Sequence, residues 1–262
     1  MLDVFGFPSP QQSNYQEFYG GGTTCDWVKP RGASMVRFML IGAGGNGADG
    51  DGGNGGGGGG SGAVTSWIGP AIFIPDILRI VIGATANDTE VVYQAKDGSG
   101  YTLLSASSGG VGSPATGSGG VGGTAMTANY FTAAGIFNSV AGQNGSTSGT
   151  RLITASLTTF LSGGAGGASA SGQEGGSVTP NYGYAVIPLT QSGSAQRGDD
   201  GYFITQPILV GTGGAGGSTS GTNGGAGGHG GIGCGGGGKG LDATPNATLA
   251  RGGDGAVFVW SW

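Results

Sequence analysis

Few residues in this chain are of types that do chemistry, and their spacing is poor. The one histidine, His229, stands five positions before Cys234, and Cys25 and Asp242 complete a set of metal-ligating types. Zinc needs three or four ligands, yet there is neither a Cys-x-x-Cys pair nor a second histidine, so a solitary loop histidine is the preferred reading. Gly233 to Lys239 matches the start of a phosphate-binding loop, but Gly240 stands where a Ser or Thr must hold magnesium, and no helix pattern follows. Asp49, Gly50, Asp51 and Gly52 open like a calcium loop without its later ligands, and Asp88, Asp97, Asp199 and Asp200 are scattered. A single histidine among many serines defines no nucleophilic triad. The sequons at Asn87, Asn144 and Asn246, like the recurrent Gly-x-Gly-x-x-Gly, are what a chain so rich in Gly, Ser and Thr produces by chance. No catalytic, cofactor-binding or metal residue is assigned, and an enzyme is not expected.

Composition explains that poverty. Glycine fills 67 of 262 positions, and charged residues only 9%, against about 7% and 25% in ordinary domains. Collagen is excluded because glycine does not recur at every third residue and proline numbers only 10. The balance of 9 Lys+Arg against 14 Asp+Glu gives a net charge of −5 with no basic cluster, which argues against nucleic acid as a partner. No apolar run is long enough to span a membrane, and Met1 to Pro10 lacks the basic and apolar regions of a secretory signal. Two cysteines make no disulfide scaffold, although a Cys25–Cys234 bridge becomes feasible if the first and last strands are neighbours.

The elements that must position any site are short strands between glycine tracts. Residues 1–34 read as a polar, aromatic-dotted docking arm, and residues 35–262 as the domain proper. Strands are expected over Met35–Ile41, Ala63–Trp67, Ala71–Ile74 and Ile77–Ile82 from their alternation and β-branched content. Glu90–Ala95 and Tyr101–Ser105 flank Asp97 and Gly98 and read as a hairpin. Thr127–Ala141 spaces Phe131, Ala134, Phe137 and Val140 at threes and is the one stretch suited to a short helix, weakened by Gly135. Leu152–Leu161 fits either a strand or a helical turn; Tyr184–Leu189 and Tyr202–Val210 are strand candidates whose Pro188 and Pro207 confine them to edges or bulges. The closing strand Ala256–Trp262 is apolar on both faces. The expected fold is therefore all-β, an antiparallel, jelly-roll-like β-sandwich in which Met35–Ile41 lies beside the closing strand. Glycine chains also form extended helices of three residues per turn, whose bare backbones approach closely and bond laterally. Ordered polyglycine-II-like tracts are accordingly expected, with flexible linkers as the alternative. Trp27, Trp67, Trp260 and Trp262 sit in or beside strands and are assigned to the core rather than to sugar stacking. Tyr130, Asn144, Tyr182 and Asn223 are the better candidates for loop residues that touch a partner.

Four features in their proper order carry a resemblance. They are Trp27, Pro30 and Gly32 at a turn; the strand from Val36 to Ile41; the tract Gly42-Ala43-Gly44-Gly45-Asn46-Gly47; and the ending Gly252-Gly253-Asp254-Gly255 followed by a strand to Trp262. Over residues 27–262 the chain resembles the glycine-rich domain of bacteriophage and other virion structural proteins, tail-fibre and tail-tip proteins among them. The resemblance implies a sandwich decorated by glycine loops, a place at the particle surface, and a part in host attachment. The short lead-in leaves no room for a fibre shaft, which favours a capsid decoration, spike or tail-tip subunit. Expected partners are other virion proteins through residues 1–34, further copies of the chain in a trimer, and a host surface glycan or protein. A secreted or cell-wall glycine-rich matrix protein and a carbohydrate-binding sandwich domain stand as alternatives.

Overall fold

The computed structural model describes residues 14–51, 53–114, 116–149, 153–155, 161–180, 195–204, 209–241 and 249–262. Its strands are β1 Asn14–Phe18, β2 Thr24–Val28, β3 Met35–Ile41, β4 Val64–Pro70, β5 Ile77–Val81, β6 Thr89–Gln94, β7 Gly100–Ala106, β8 Ile136–Val140, β9 Ile153–Ala155, β10 Val178–Pro180, β11 Phe203–Ile204, β12 Val210–Gly211, β13 Thr219–Ser220, β14 Asn223–Gly224 and β15 Ala256–Ser261. Two antiparallel sheets organise them, one in the order β1-β15-β3-β4-β8 and one in the order β2-β5-β6-β7. One apolar cluster takes Val36, Phe38, Leu40, Trp67, Val257 and Val259 from the first sheet, and Trp27, Leu78, Ile80, Val91 and Leu104 from the second. Alternation in β3 and β15 turns the other side chains outward, where Ile41, Ala256 and Phe258 join Val64, Leu161 and Cys234 in a second cluster. The closing strand is thus apolar on both faces because it has a core on both.

The expected neighbours pair: Ala256 faces Ile41 and Ser261 faces Val36 in an antiparallel register. The predicted hairpin is β6–β7. Three expectations need correction. Ala71–Ile74 is not a strand but a 3-10 turn over Ala71–Phe73, because Lys29 Nζ takes the carbonyls of Ala71 and Ile74 that a ladder would have used. Thr127–Ala141 holds only a 3-10 turn, Thr132–Ala134, followed by β8. The open edge of β4 captures that segment, and Gly135 lets it pass beneath the Trp67 indole, whose ring a side chain there would strike. Lastly, the division at residue 34 does not separate the described lead-in from the domain, since β1 pairs with β15 and β2 with β5. Tyr184–Leu189 and most of Leu152–Leu161 lie outside the described residues, as do positions 205–208 of Tyr202–Val210.

The two cysteines are free thiols. Cys25 packs on the cluster between the sheets and Cys234 belongs to the one beyond the five-stranded sheet, so that sheet stands between them.

The glycine tracts leave the strands at one end of the two sheets and form a lattice of backbone. The run 55–63 shows its rule. The N–H groups of Gly56, Gly59 and Gly62 donate to Lys239, Gly236 and Gly233; those of Gly57, Gly60 and Ala63 to Ser113, Gly110 and Ser107; those of Gly58 and Ser61 to Ser146 and Gln143, all at 2.8–3.3 Å. Its carbonyls accept from Gly42, Gly45 and Ala48, from Gly120 and Gly123, and from Gly164 and Gly167. Every third residue therefore addresses the same neighbour, and one run bonds six others, as a three-residue extended helix in hexagonal packing must. Such contact needs bare backbone. A Cβ on Gly59 would lie inside the Gly45 carbonyl, and one on Gly164 inside the Gly236 carbonyl.

Candidate functional site

Among the described sequence-selected residues, the structure brings together Lys239 with Asp49 and His229 with Asp200. Gly233 to Lys239 is a lattice run whose N–H groups are all spent on backbone carbonyls, that of Cys234 on Gly231 in a local turn and the others on other runs and loops, so no nest of donors is left for a phosphate. Lys239 is buried and pairs with Asp49 at 3.7 Å. Asp51 Oδ1 accepts the N–H groups of Gly53 and Asn54, closing a turn. Among the described residues no three His, Cys, Asp or Glu side chains group as metal ligands, and Asp242 lies outside them.

The three contact candidates among the described residues, Tyr130, Asn144 and Asn223, do not share a face. Tyr130 is fully exposed on the loop leading into β8, whose first residue Ile136 pairs with Ile68 at the end of the sheets away from the lattice. Exposed Val28, Ile72, Phe73 and Ile77 lie at that same end. Asn223 sits at the opposite end, in the tight β13–β14 hairpin whose Gly221 needs its positive φ of +61°. Asn144 is built into the lattice flank, its Oδ1 accepting the Gly122 N–H at 2.7 Å. Tyr182 lies outside the described residues. The lattice end is made of the tips of the runs, where residues such as Asp51, Asn54, Thr116, Ser171, Thr222 and Asn223 replace glycine.

A concavity lies on the flank where the lattice meets the five-stranded sheet. It is an open groove of about 650 Å³ lined by Tyr19, Gly20, His229, Gly230, Ile232 and Arg251 to Gly255. Tyr19 stands edge-on to Phe258, ring centroids 5.8 Å apart, and donates its hydroxyl to Glu17 at 2.8 Å. Tyr15 stacks on Trp260 at 5.1 Å, and the Arg37 guanidinium lies 5.0 Å from the Trp260 ring. Burial first, then Glu17, pushes the Tyr19 hydroxyl up to about 12. His229 is held from two sides: its N–H donates to Asp200 Oδ1 at 2.6 Å, and its Nδ1 accepts the Arg251 N–H at 2.9 Å. Arg197 forms a bidentate pair with Asp200. Burial raises the Asp200 carboxyl, but Arg197 and the His229 N–H outweigh it and hold the group below the usual carboxylate range.

A family model described as a glycine-rich domain matches residues 19–261, nearly the whole chain and both parts of the architecture. The chain belongs to the glycine-rich domain family. No curated protein matches it. In this glycine-rich domain the match begins at Tyr19 and takes in the groove and the lattice together. Tyr19, Arg251 and Asp254 were not singled out from sequence as groove residues. Asp254 was visible inside the Gly252–Gly255 motif, but Tyr19 lies more than two hundred positions away, and only the β1–β15 pairing brings them together.

Proposed function

We propose that this glycine-rich domain protein is a non-catalytic structural component of a virion surface, a bacteriophage capsid decoration, spike or tail-tip subunit that contributes to host attachment. The observation that carries this reading is the molecule's polarity. One end exposes Val28, Ile72, Phe73, Ile77 and Ile136; the other presents polar tips on a rigid backbone lattice. The apolar end suits contact with other particle proteins, and Asn14, where the described lead-in starts, pairs with Ser261 at that end. The tips then face outward, toward a host surface. Low charge suits burial among neighbours in a closed oligomer, a trimer being the expected form.

Two measurements test this. Light scattering on the purified chain is expected to give three times the chain mass; a stable monomer removes the self-contained adhesin and leaves a subunit ordered by the particle. Antibodies to residues 220–224 are expected to decorate intact particles in electron micrographs. Particles that never bind them, from a lysate that contains the chain, overturn the virion role.

A further inference from the structure

The walls of the groove beside Tyr19 are fixed by the lattice, whose backbone bonds from Gly230 to Arg251 and from Gly253 to Cys234 run through its lining. Much of its lining is glycine backbone, at Gly20, Gly230, Gly252, Gly253 and Gly255. One wall is the Tyr19 ring, 43% exposed and oriented by Phe258 and Glu17. The polar groups are of both kinds. Because His229 Nδ1 accepts a hydrogen bond, the neutral imidazole carries its proton on Nε2, a donor. Arg251 is exposed, and among the described residues no carboxylate lies within ion-pair distance of its guanidinium. Asp254 adds a carboxylate acceptor.

The geometry points to a saccharide site. Neighbouring sugar hydroxyls each donate and accept, so a pair of them matches the planar, two-pronged faces of a carboxylate and a guanidinium. The apolar face of a pyranose matches an aromatic ring over bare backbone. Other ligand classes fit less well. A phosphate would meet the Asp254 carboxylate, and a wholly apolar ligand would leave the Arg251 and Asp254 side chains unmatched. This assignment deepens the attachment role and rests on it, supplying the chemical class of the host ligand and placing its site on the flank rather than at the tips.

His229 is the one histidine of the chain, so its Hε1 proton gives a single NMR signal that reports on the groove. The probes are the methyl glycosides of glucose, galactose, mannose, N-acetylglucosamine and rhamnose, titrated into the full chain. At least one is expected to shift the His229 signal saturably, with Arg251→Ala and Tyr19→Ala each weakening it about tenfold or more. Tyr130→Ala, at the far end, is expected to leave it unchanged. Unchanged glycine amide signals establish that each variant is folded. No shift with any probe, or undiminished affinity in folded Arg251→Ala, overturns the site. Adhesion of labelled chain to host cells separates the two ideas. Adhesion that survives Arg251→Ala overturns the groove and keeps the attachment role; glycoside binding without adhesion overturns the attachment role and keeps the groove.

Discussion

The sheets and the lattice of this molecule solve the same problem with opposite materials. Between the sheets, Trp27, Phe38 and Trp67 interlock, the first two edge to face at 5.3 Å, and order comes from side chains. In the lattice order comes from the missing side chains, each run bonding several others through its backbone. A glycine costs about 0.5–1 kcal/mol relative to alanine in a regular element, and a hydrogen bond returns about 0.5–1.5 kcal/mol net. The lattice therefore sits near balance by itself. What tips it is that the strands hold the run ends side by side: β3 and β4 pin the runs 42–48 and 55–63, and β15 pins the return through 250–255. The difference teaches that a glycine tract becomes structure when something else supplies its register.

The sharpest attempt to break the comparison is Gly59→Ala. In an exposed helix this change would stabilise; here it drives a methyl into the Gly45 carbonyl, and a loss of more than about 3 kcal/mol or failure to fold is expected in urea denaturation. Trp67→Ala, in the side-chain half, is expected to cost a similar 3–5 kcal/mol or so. If Gly59→Ala were harmless, the lattice would be loose packing. Breaking the Lys239–Asp49 pair with Lys239→Met comes next. With Lys239 only 6% and Asp49 16% exposed, about 3 kcal/mol is expected, read from the same transitions.

Two pH effects are smaller. Burial pushes the Cys234 thiol up to about 12, well above its unfolded value near 9. Its contribution is whole below the unfolded value and is lost as pH rises from about 9 toward 12, and below that window alkylation of the native chain should spare Cys234. Asp200 has the opposite sign: its folded value is depressed, so its contribution is present above the unfolded value near 3.8 and fades as pH falls below it. A melting temperature that falls in acid less in Asp200→Asn than in the parent checks this. The smallest effect is expected at a tip: Gly53, where an added Cβ would meet only the Asp51 carboxylate at 3.7 Å, should accept alanine within about 0.5 kcal/mol by thermal melting.

Much of the side-chain half was legible because it obeys period two. Val36, Phe38 and Leu40 alternate with Arg37 and Met39, and the pairing of the first and last strong strands followed from their being the most apolar. The helix expected at Thr127–Ala141 failed because a three-residue spacing of Phe131, Ala134 and Phe137 cannot reveal that the edge of β4 stands open beside it. In the lattice every position of a run such as 55–60 is the same residue, so its neighbours leave no mark on the letters. Polyglycine-type packing could be expected in kind, but not which run touches which. The groove was hidden for the same reason, since much of its lining is glycine and its aromatic wall comes from the other end of the chain.

The three-residue rule of the run 55–63 acts as a reading frame. Removing one glycine turns every later N–H of the run by about a third of a turn, toward a neighbour whose carbonyls already answer another position. Removing three returns each donor to its own neighbour, displaced by one step. Insertions and deletions within runs should then be tolerated in threes, as in a coding sequence, while the tips between runs carry no frame and can change length freely.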